Sequence, residues 1–585
     1  MWRIGVVACI CLSNLLFPAL VQSAPRIFYT DVESGPNTGG ENNNGAYLSL
    51  FGKGFGTDLT QIKVYVGNGE VSRYMYLGPS LGRPDVQQLS VQLGQATSSG
   101  PVKVVVNGVS SNTDHTFTVR PGNFYFISLT GSDSNGAVND VTHPFRTPNY
   151  VKGLISPGDF LVVRGGTYVL DDGTNNISNS TWLRYPPNGT AASPNTLMGY
   201  PGETVIVKPL NSWIWLWAGD GTAGSHWVIS NFNVLYVNCT AGSALLLSTV
   251  TTVSDVCLGN QVAHKLTDIR AVNINFDGQN LGGMCAGSGD SPVNVQYSDH
   301  VKVLGVSVHD TANNPNEAGH VIYLAAVQNA TEVGWNALWN IPHSRAVVQV
   351  HQDSFGGACW GQKFLTDIQI HDNLLHDLAG QPIMLDGGTG DIQVYNNLIY
   401  NVRDVTYSDI FSLRASGGTL NASLYNNTAY ADALTGGQGF MLGFGSANLP
   451  QHVTLYNNIF YLTDPQDLWY GSDWFSTDQV AAWIKGGNVT SANNLWYGSR
   501  SAMPSFAGSS ELMVDPLFVD TTIDNFHPVS PTSPAIDKGT SLTNLVVTTD
   551  FDGNPRPQGN APDIGAFEAS GITLPAPQNV KLQKK

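Results

Sequence analysis

The chain has 585 residues, carries a net charge of −17 and is only 12% charged. That length exceeds an ordinary single domain unless the architecture repeats. The acidic balance excludes nucleic acid and anionic membrane as natural partners, though not an acidic polysaccharide held by local cations. The chain opens with Arg3, an apolar run and the small residues Val21 and Ser23. This pattern predicts a secretory signal peptide over 1–23 and an exported mature protein. No later stretch is long and apolar enough to predict a membrane span. The mature chain keeps Cys239, Cys257, Cys285 and Cys359 without metal-ligand spacing. Four cysteines allow three disulfide pairings, and buried free thiols are the alternative.

Residues 24–121 carry short alternating segments (AYLSLFG, KVYVG, QQLSVQL, VKVVVNG, TFTVR) separated by glycine-rich turns. They predict a small β-sandwich. SGPNTGG, GAYLSLFGKGFGTD and KVYVGNGE resemble the IPT/TIG domain, which implies a spacer or binding module beside a larger domain.

A second beginning follows at 123, with NFYFISLTGSDSNG, PFRTP, SPGDFLVVRGGTYVL and TLMGYPGETVIVKP. These segments resemble the opening coils of secreted right-handed parallel β-helix proteins of the pectate-lyase-like superfamily. That likeness implies an all-β solenoid, here over 122–530, and leaves the reaction open. Downstream, WIWLW places Trp213, Trp215 and Trp217 on one strand face. If Ile214 and Leu216 face the core, the rings face outward, under a neighbouring element or as a sugar-stacking platform.

Repetition supports the solenoid independently. EVGWNALWN, IQIHDNLLHD, IQVYNNLIYN, ASLYNNTAY and VTLYNNIFY align on Asn336, Asn373, Asn397, Asn427 and Asn458, and VKVLGVSVHD fits with Val306 in the Asn place. These are irregular coils of one repeat, and an Asn recurring at one bend predicts a structural amide ladder. At the end, SPAIDKG, TTDFDGNPRP and APDIGAFE resemble the terminal segment of secreted β-helix proteins, which assigns 531–570 to a C-terminal cap and leaves 571–585 as a linker or tail.

Each Asn-bearing strand has a partner strand in its coil: GHVIYLA, RAVVQVH, GQPIMLD, SDIFSLR and GQGFMLG. Aligned on their apolar pairs, these strands place three rows outward. One row is His320, Ala346, Gln381, Asp409 and Gln438. The next is Tyr323, Gln349, Met384, Ser412 and Met441. The third is Ala325, His351, Asp386, Arg414 and Gly443. Rows on adjacent coils lie roughly 4.8 Å apart, so His351 is predicted beside Asp386 and Asp386 beside Arg414. Arg345, at the strand entrance, reaches the same face. His371 and His376 fall on the other strand and read as turn or surface residues, as do His309 and Asp310.

A face of this kind suits a long sugar chain. An ion-pair ladder is its plain structural alternative. Three functions follow. A polysaccharide lyase acting by β-elimination on a uronate-containing glycan needs a cation for the carboxylate, a base and an acid. Arg414 or Arg345 fits the first role, with Gln349 as donor. His351 oriented by Asp386 fits the second, and Tyr323 or His320 the third. Gln381 and Asp409 extend the substrate-binding face. β-Helix lyases of the resembled superfamily use Lys or Arg as base, often with calcium, whereas Lys302 and Lys363 lie off the aligned face. A glycoside hydrolase would need two spaced carboxylates, from Asp386, Asp409 or Asp353. A non-catalytic glycan-binding adhesin is the third. No cofactor is demanded. Exposed acidic residues would suit Ca2+, although no DxDxDG loop occurs. A monomer is expected.

Overall fold

In a computed structural model the described residues are 24–170, 181–209, 215–219, 223–235, 245–247, 257–258, 261–262, 266–279, 291–311, 319–342, 344–351, 365–388, 390–403, 409–415, 419–431, 440–444, 449–463, 469–471, 477–498, 502–542 and 547–569. The proposed signal peptide, Cys239, Cys285, Cys359, Trp213, Asp353, Lys363 and Gln438 lie outside them, as does the tail from 570. Among the described residues no helix is long and apolar enough to cross a membrane.

The chain winds as a right-handed parallel β-helix. One coil runs through the strands Thr331–Gly334, Ala337–Ile341 and Ala346–His351, and the next through Ile368–His371, Leu374–Leu378 and Gln381–Asp386. Each strand pairs in parallel with its counterpart one coil on. The first two strands of every coil belong to one long sheet, and the third to a ten-stranded sheet. Inward residues stack in columns: Ile322, Val348, Ile383, Phe411 and Leu442 form one, all within a single core. Each such side chain contributes roughly 1.5–3 kcal/mol by leaving water.

The bend between the first and second strands explains the repeated asparagines. Asn336, Asn373, Asn397, Asn427, Asn458 and a sixth, Asn494, are fully buried. Each Nδ2 donates to the next Oδ1, at 2.8 Å from Asn336 to Asn373 and 2.9 Å from Asn397 to Asn427. Val306 N donates to Asn336 Oδ1, which places Val306 in the frame as read. The ladder ends where Asn494 Nδ2 donates to Glu511 Oε1 at 3.0 Å. Amides aligned in this way polarise one another, and the Glu511 carboxylate receives the last of them.

The residue before each ladder Asn has left-handed backbone, with φ of 53° at Asp372, 50° at Asn396 and 55° at Asn426. Asn and Asp tolerate that region. The same position on earlier coils holds Asn231, Asn273, Gly305 and Trp335. These side chains point out and form a docking rail. The N-terminal domain, two largely antiparallel sheets sharing a core with the first coils, uses its first part. Asn273 Oδ1 accepts from Leu81 N at 2.7 Å, and Asn231 Nδ2 donates to Asp31. Tyr29 packs over Gly305, where a Cβ would lie 1.9 Å from its hydroxyl. Trp335 stacks beside Phe28 and Tyr29.

The C-terminal segment uses the rest of the rail. Asn396, Asn426, Asn457 and Asn493 donate to Thr549 O, Gly565 O, Thr540 O and Lys538 O. The segment assigned above to a cap is thus a strap along the side wall, held by these amides and by Phe526, Phe551 and Phe567. The end of the core is closed instead by Trp483, from the helix Thr477–Lys485, and by Phe506. Fully buried Arg83 joins the three parts. It donates to Asp372 O and Phe551 O and lies 3.5 Å from the Phe551 ring centroid.

The structure corrects two further expectations. Trp217 is fully buried in the solenoid core and pairs with Leu183 and Leu245, so its ring is no sugar platform. His371 is 3% exposed and locked between Asp372 at 2.8 Å and Glu332 at 3.2 Å, an interior ion-pair network rather than a turn.

Candidate active site on the ten-stranded sheet

The predicted face lies on the strands His320–Ala325, Ala346–His351, Gln381–Asp386 and Asp409–Arg414. Their register is the one expected. Ala325 pairs with His351, His351 with Asp386, and Asp386 with Arg414, while Tyr323 pairs with Gln349. The alternation slips once at the start of the strands. Val321 and Ile322 both enter the core, as do Val347 and Val348, and the ladder skips a pair there. Pro382, which has no N–H to donate, occupies that point on its own coil. The slip brings His320 onto the face of Tyr323, three residues on. Their rings stack at 5.0 Å and 13°.

The next coil departs from the expected frame by two residues. Asp409 pairs with Phe440 and Ser412 with Gly443. Gly443 is therefore beside Ser412 rather than Arg414, and buried Met441 joins the core rather than an outward row. The empty place at Gly443 is taken by the Asp409 carboxylate, whose Cγ would lie 2.1 Å from a Cβ there.

Tyr323 and His351 form the centre of the face. Tyr323 Oη and His351 Nδ1 are 3.0 Å apart. On the other side, His351 Nε2 lies 3.7 Å from Asp386 Oδ2, a Coulombic distance rather than a hydrogen bond. Tyr323, not Asp386, therefore sets the imidazole's orientation. Arg414 Nε donates to Ser412 Oγ at 3.0 Å. Burial lowers the Arg414 pKa, the Asp409 and Asp386 charges oppose that shift, and Arg345 reinforces it. The guanidinium thus lies within electrostatic reach of two carboxylates and of a second cation.

Exposure sorts the predicted residues. Tyr323, Arg345, His351 and Arg414 keep open surface. Gln349 at 2%, Gln381 at 0%, Asp386 at 5%, Asp409 at 6% and His320 at 8% are buried behind them. Gln349 and Gln381 are therefore supports beneath the face, not groups that touch a sugar directly. His320 is held neutral. Burial first, then the Arg345 cation, pushes its pKa down to about 3, which removes it as an acid near neutrality. The sequence reading missed Asn294 and Gln296, which pair with Tyr323 and Ala325 and extend the face one coil further. Their alternation in VNVQ is the signal that locates them.

Among the described residues one group has metal-ligand spacing, Asp277, His309 and Asp310. It lies on the long sheet, away from this face, and His309 already contacts Asp310 and Asn275 through its two nitrogens at 2.9 Å each.

No family model and no curated protein matches the chain. Among solved structures it is similar to a pectate lyase, Pel9A, at 14% identity over 77% of this chain and 96% of that chain, with a TM-score of 0.40. It is similar to a rhamnogalacturonan lyase at 13% identity over 68% of this chain and 90% of that chain, with a TM-score of 0.42. A family 28 exopolygalacturonase of Yersinia enterocolitica is similar at 10% identity over 84% and 99%, with a TM-score of 0.34. These likenesses are remote, and the fold rests on the strand pairing described above.

Proposed function

We propose that this protein is an exported polysaccharide lyase that cleaves a uronate-containing glycan by β-elimination on the ten-stranded sheet. The observation that carries this reading is the 3.0 Å contact between Tyr323 Oη and His351 Nδ1, with Arg414 in the same outward column as His351.

Elimination needs a base at C5 of the uronate, a cation for the charge delocalised onto its carboxylate, and a proton for the departing O4. His351 Nε2 takes the C5 proton. The C–H electron pair becomes the C4–C5 double bond, and the C4–O4 bond breaks. Tyr323 Oη gives its proton to O4 and regains one from His351 Nδ1. The proton gained at Nε2 thus matches the one lost at Nδ1. Asp386, too far to hydrogen-bond Nε2, leaves its lone pair open and stabilises the imidazolium that forms. Arg414 receives the carboxylate.

The test is incubation of the mature protein with uronate-containing and neutral polysaccharides, following ultraviolet absorbance of unsaturated uronate and reducing ends in parallel. Both signals rising together is the expected result. Reducing ends without absorbance would assign a glycoside hydrolase, and retained binding without either signal would assign an adhesin.

A further inference from the structure

Two cations on the site face have no ion-pair partner among the described residues. Arg345 stands at the entrance of the strand Ala346–His351, and its backbone N–H donates to Gly319 O at 3.0 Å, beside His320. Its side chain is exposed. Arg414 closes the strand two coils on and keeps partial exposure. Its Nε donates to Ser412 Oγ at 3.0 Å, two residues back along the strand. The Arg414 guanidinium therefore leans toward the entrance edge, where Arg345 stands. Elsewhere in this acidic chain such groups are matched, Arg270 to Glu33 at 2.6 Å and Arg556 to Glu568 at 2.6 Å. Here the Arg345 charge acts on both Arg414 and His320, and Asp386 and Asp409 reach Arg414 only through space.

Two guanidinium groups that repel one another are relieved by an anion close to both. Arg414 spends one donor on Ser412 and Arg345 spends none, whereas a single carboxylate offers about four lone-pair sites. The carboxylate of the reacting uronate therefore leaves most of one fork unanswered. Such a fork binds planar or tetrahedral oxyanions through paired hydrogen bonds. We infer that the site takes a glycan with a second oxyanion close to the scissile bond, and that exposed Arg345 selects for it. The carboxylate of a neighbouring uronate and the sulfate ester of a neighbouring sugar both supply that chemistry. This rests on the lyase reading, in which Arg414 holds the first carboxylate.

The experiment measures initial rates of absorbance increase on a polyuronate, on a glycan in which a uronate alternates with a sulfated neutral sugar, and on that same glycan after desulfation. Wild-type kcat/KM should be roughly tenfold or more higher on one of the first two than on the desulfated chain. Which of them is preferred tells carboxylate from sulfate. Arg345→Gln should cancel most of that advantage, chiefly through KM, and cost the desulfated chain less than about threefold. Arg345→Lys should recover most of the loss, which a general folding defect would not allow. Equal wild-type rates on charged and desulfated chains, or an equal loss on all three in Arg345→Gln, would overturn the inference and leave the lyase reading intact. Absorbance on no substrate would overturn the lyase reading, and the inference with it.

Discussion

Asn396 and Asn397 are consecutive in the chain and bond to opposite sides of one wall. Asn396 Nδ2 donates outward to Thr549 O at 2.8 Å, while Asn397 Nδ2 donates along the interior ladder to Asn427 Oδ1 at 2.9 Å. The left-handed backbone at Asn396 turns the two side chains apart. The two positions therefore differ in what a substitution removes. Asn397→Ala removes the acceptor of the Asn373 backbone N–H and of one Asn373 Nδ2–H, both in the core, at about 1–3 kcal/mol for each unmet group. Asn396→Ala loses the 2.8 Å bond to Thr549 O, about 0.5–1.5 kcal/mol, together with two long contacts of 3.4 Å to Asp372 and Arg556, and adds about 1–2 kcal/mol for alanine in that backbone region. Thermal melts should show the larger drop for Asn397→Ala. Limited proteolysis of the strap should accelerate selectively in Asn396→Ala, and the reverse pattern would contradict the two roles.

Tyr323→Phe keeps the ring on His320 and deletes the hydroxyl. If that hydroxyl is the acid, kcat falls by about 10²–10⁴-fold with KM little changed. His351→Ala should cost a similar amount, and the double variant little more than either, because the two side chains act as one unit. Steady-state kinetics on all three variants decide the matter. Additive losses would mean that the residues act separately.

His320 should contribute no limb to the pH–rate profile. Its protonated form is populated only near pH 3, because burial and the Arg345 cation depress its pKa to about that value. In His320→Asn the limbs of kcat/KM between pH 5 and 9 should stay in place while the rate itself drops through loss of the stack on Tyr323. A displaced limb would return His320 to the acid–base machinery.

His371 couples stability to pH. Burial alone would lower its pKa, but the hydrogen bonds it donates to Asp372 and Glu332, with their charges, overcome this and raise it from 6.5 to about 9. Glu332 moves the other way. Burial opposes its ionisation, yet His371 and Lys302 hold it well below its ordinary value of 4.5. A raised imidazole stabilises the fold below its unfolded pKa and loses that contribution as pH rises through its folded pKa. A depressed carboxylate stabilises above its unfolded pKa and loses the contribution as pH falls. The melting temperature should therefore be highest between pH 4.5 and 6.5, decline toward pH 9 and decline again in acid. His371→Gln should flatten the alkaline decline, which differential scanning calorimetry would register. An unchanged alkaline decline would assign it to other groups.

The coil pattern is legible in the sequence because an inward side chain repeats at every second residue, and the ladder because one bend demands one amide. The frame from Asp409 to Phe440 is not, because FMLGF offers Phe440, Leu442 and Phe444 at alternate positions. Two alignments shifted by two residues bury the same chemistry, and parity survives while register does not. The faces of WIWLW are ambiguous for a related reason: rings and aliphatics are both good core residues, and Trp217 is inside. The retreat of Gln349 and Gln381 from the surface depends on what lies over them in space, which strand alternation does not encode. The strap hides its course because its contacts, such as Asn457 to Thr540 and Asn396 to Thr549, join segments far apart in the chain. The first asparagine of each NN pair advertises only a turn.

The rail has a further meaning for how this molecule can change. Its first stretch, from Asn231 to Asp372, is matched to the N-terminal domain, and its second, from Asn396 to Asn493, to the strap, with Arg83 bolting the two appendages together between them. A bare solenoid tolerates the gain or loss of a repeat, since every junction looks like the next. Here an inserted turn would slide one appendage against the other by a full period and leave the bolt without its hole. The number of windings is thereby fixed as on a ruler, and the length of any trough along the opposite sheet is fixed with it.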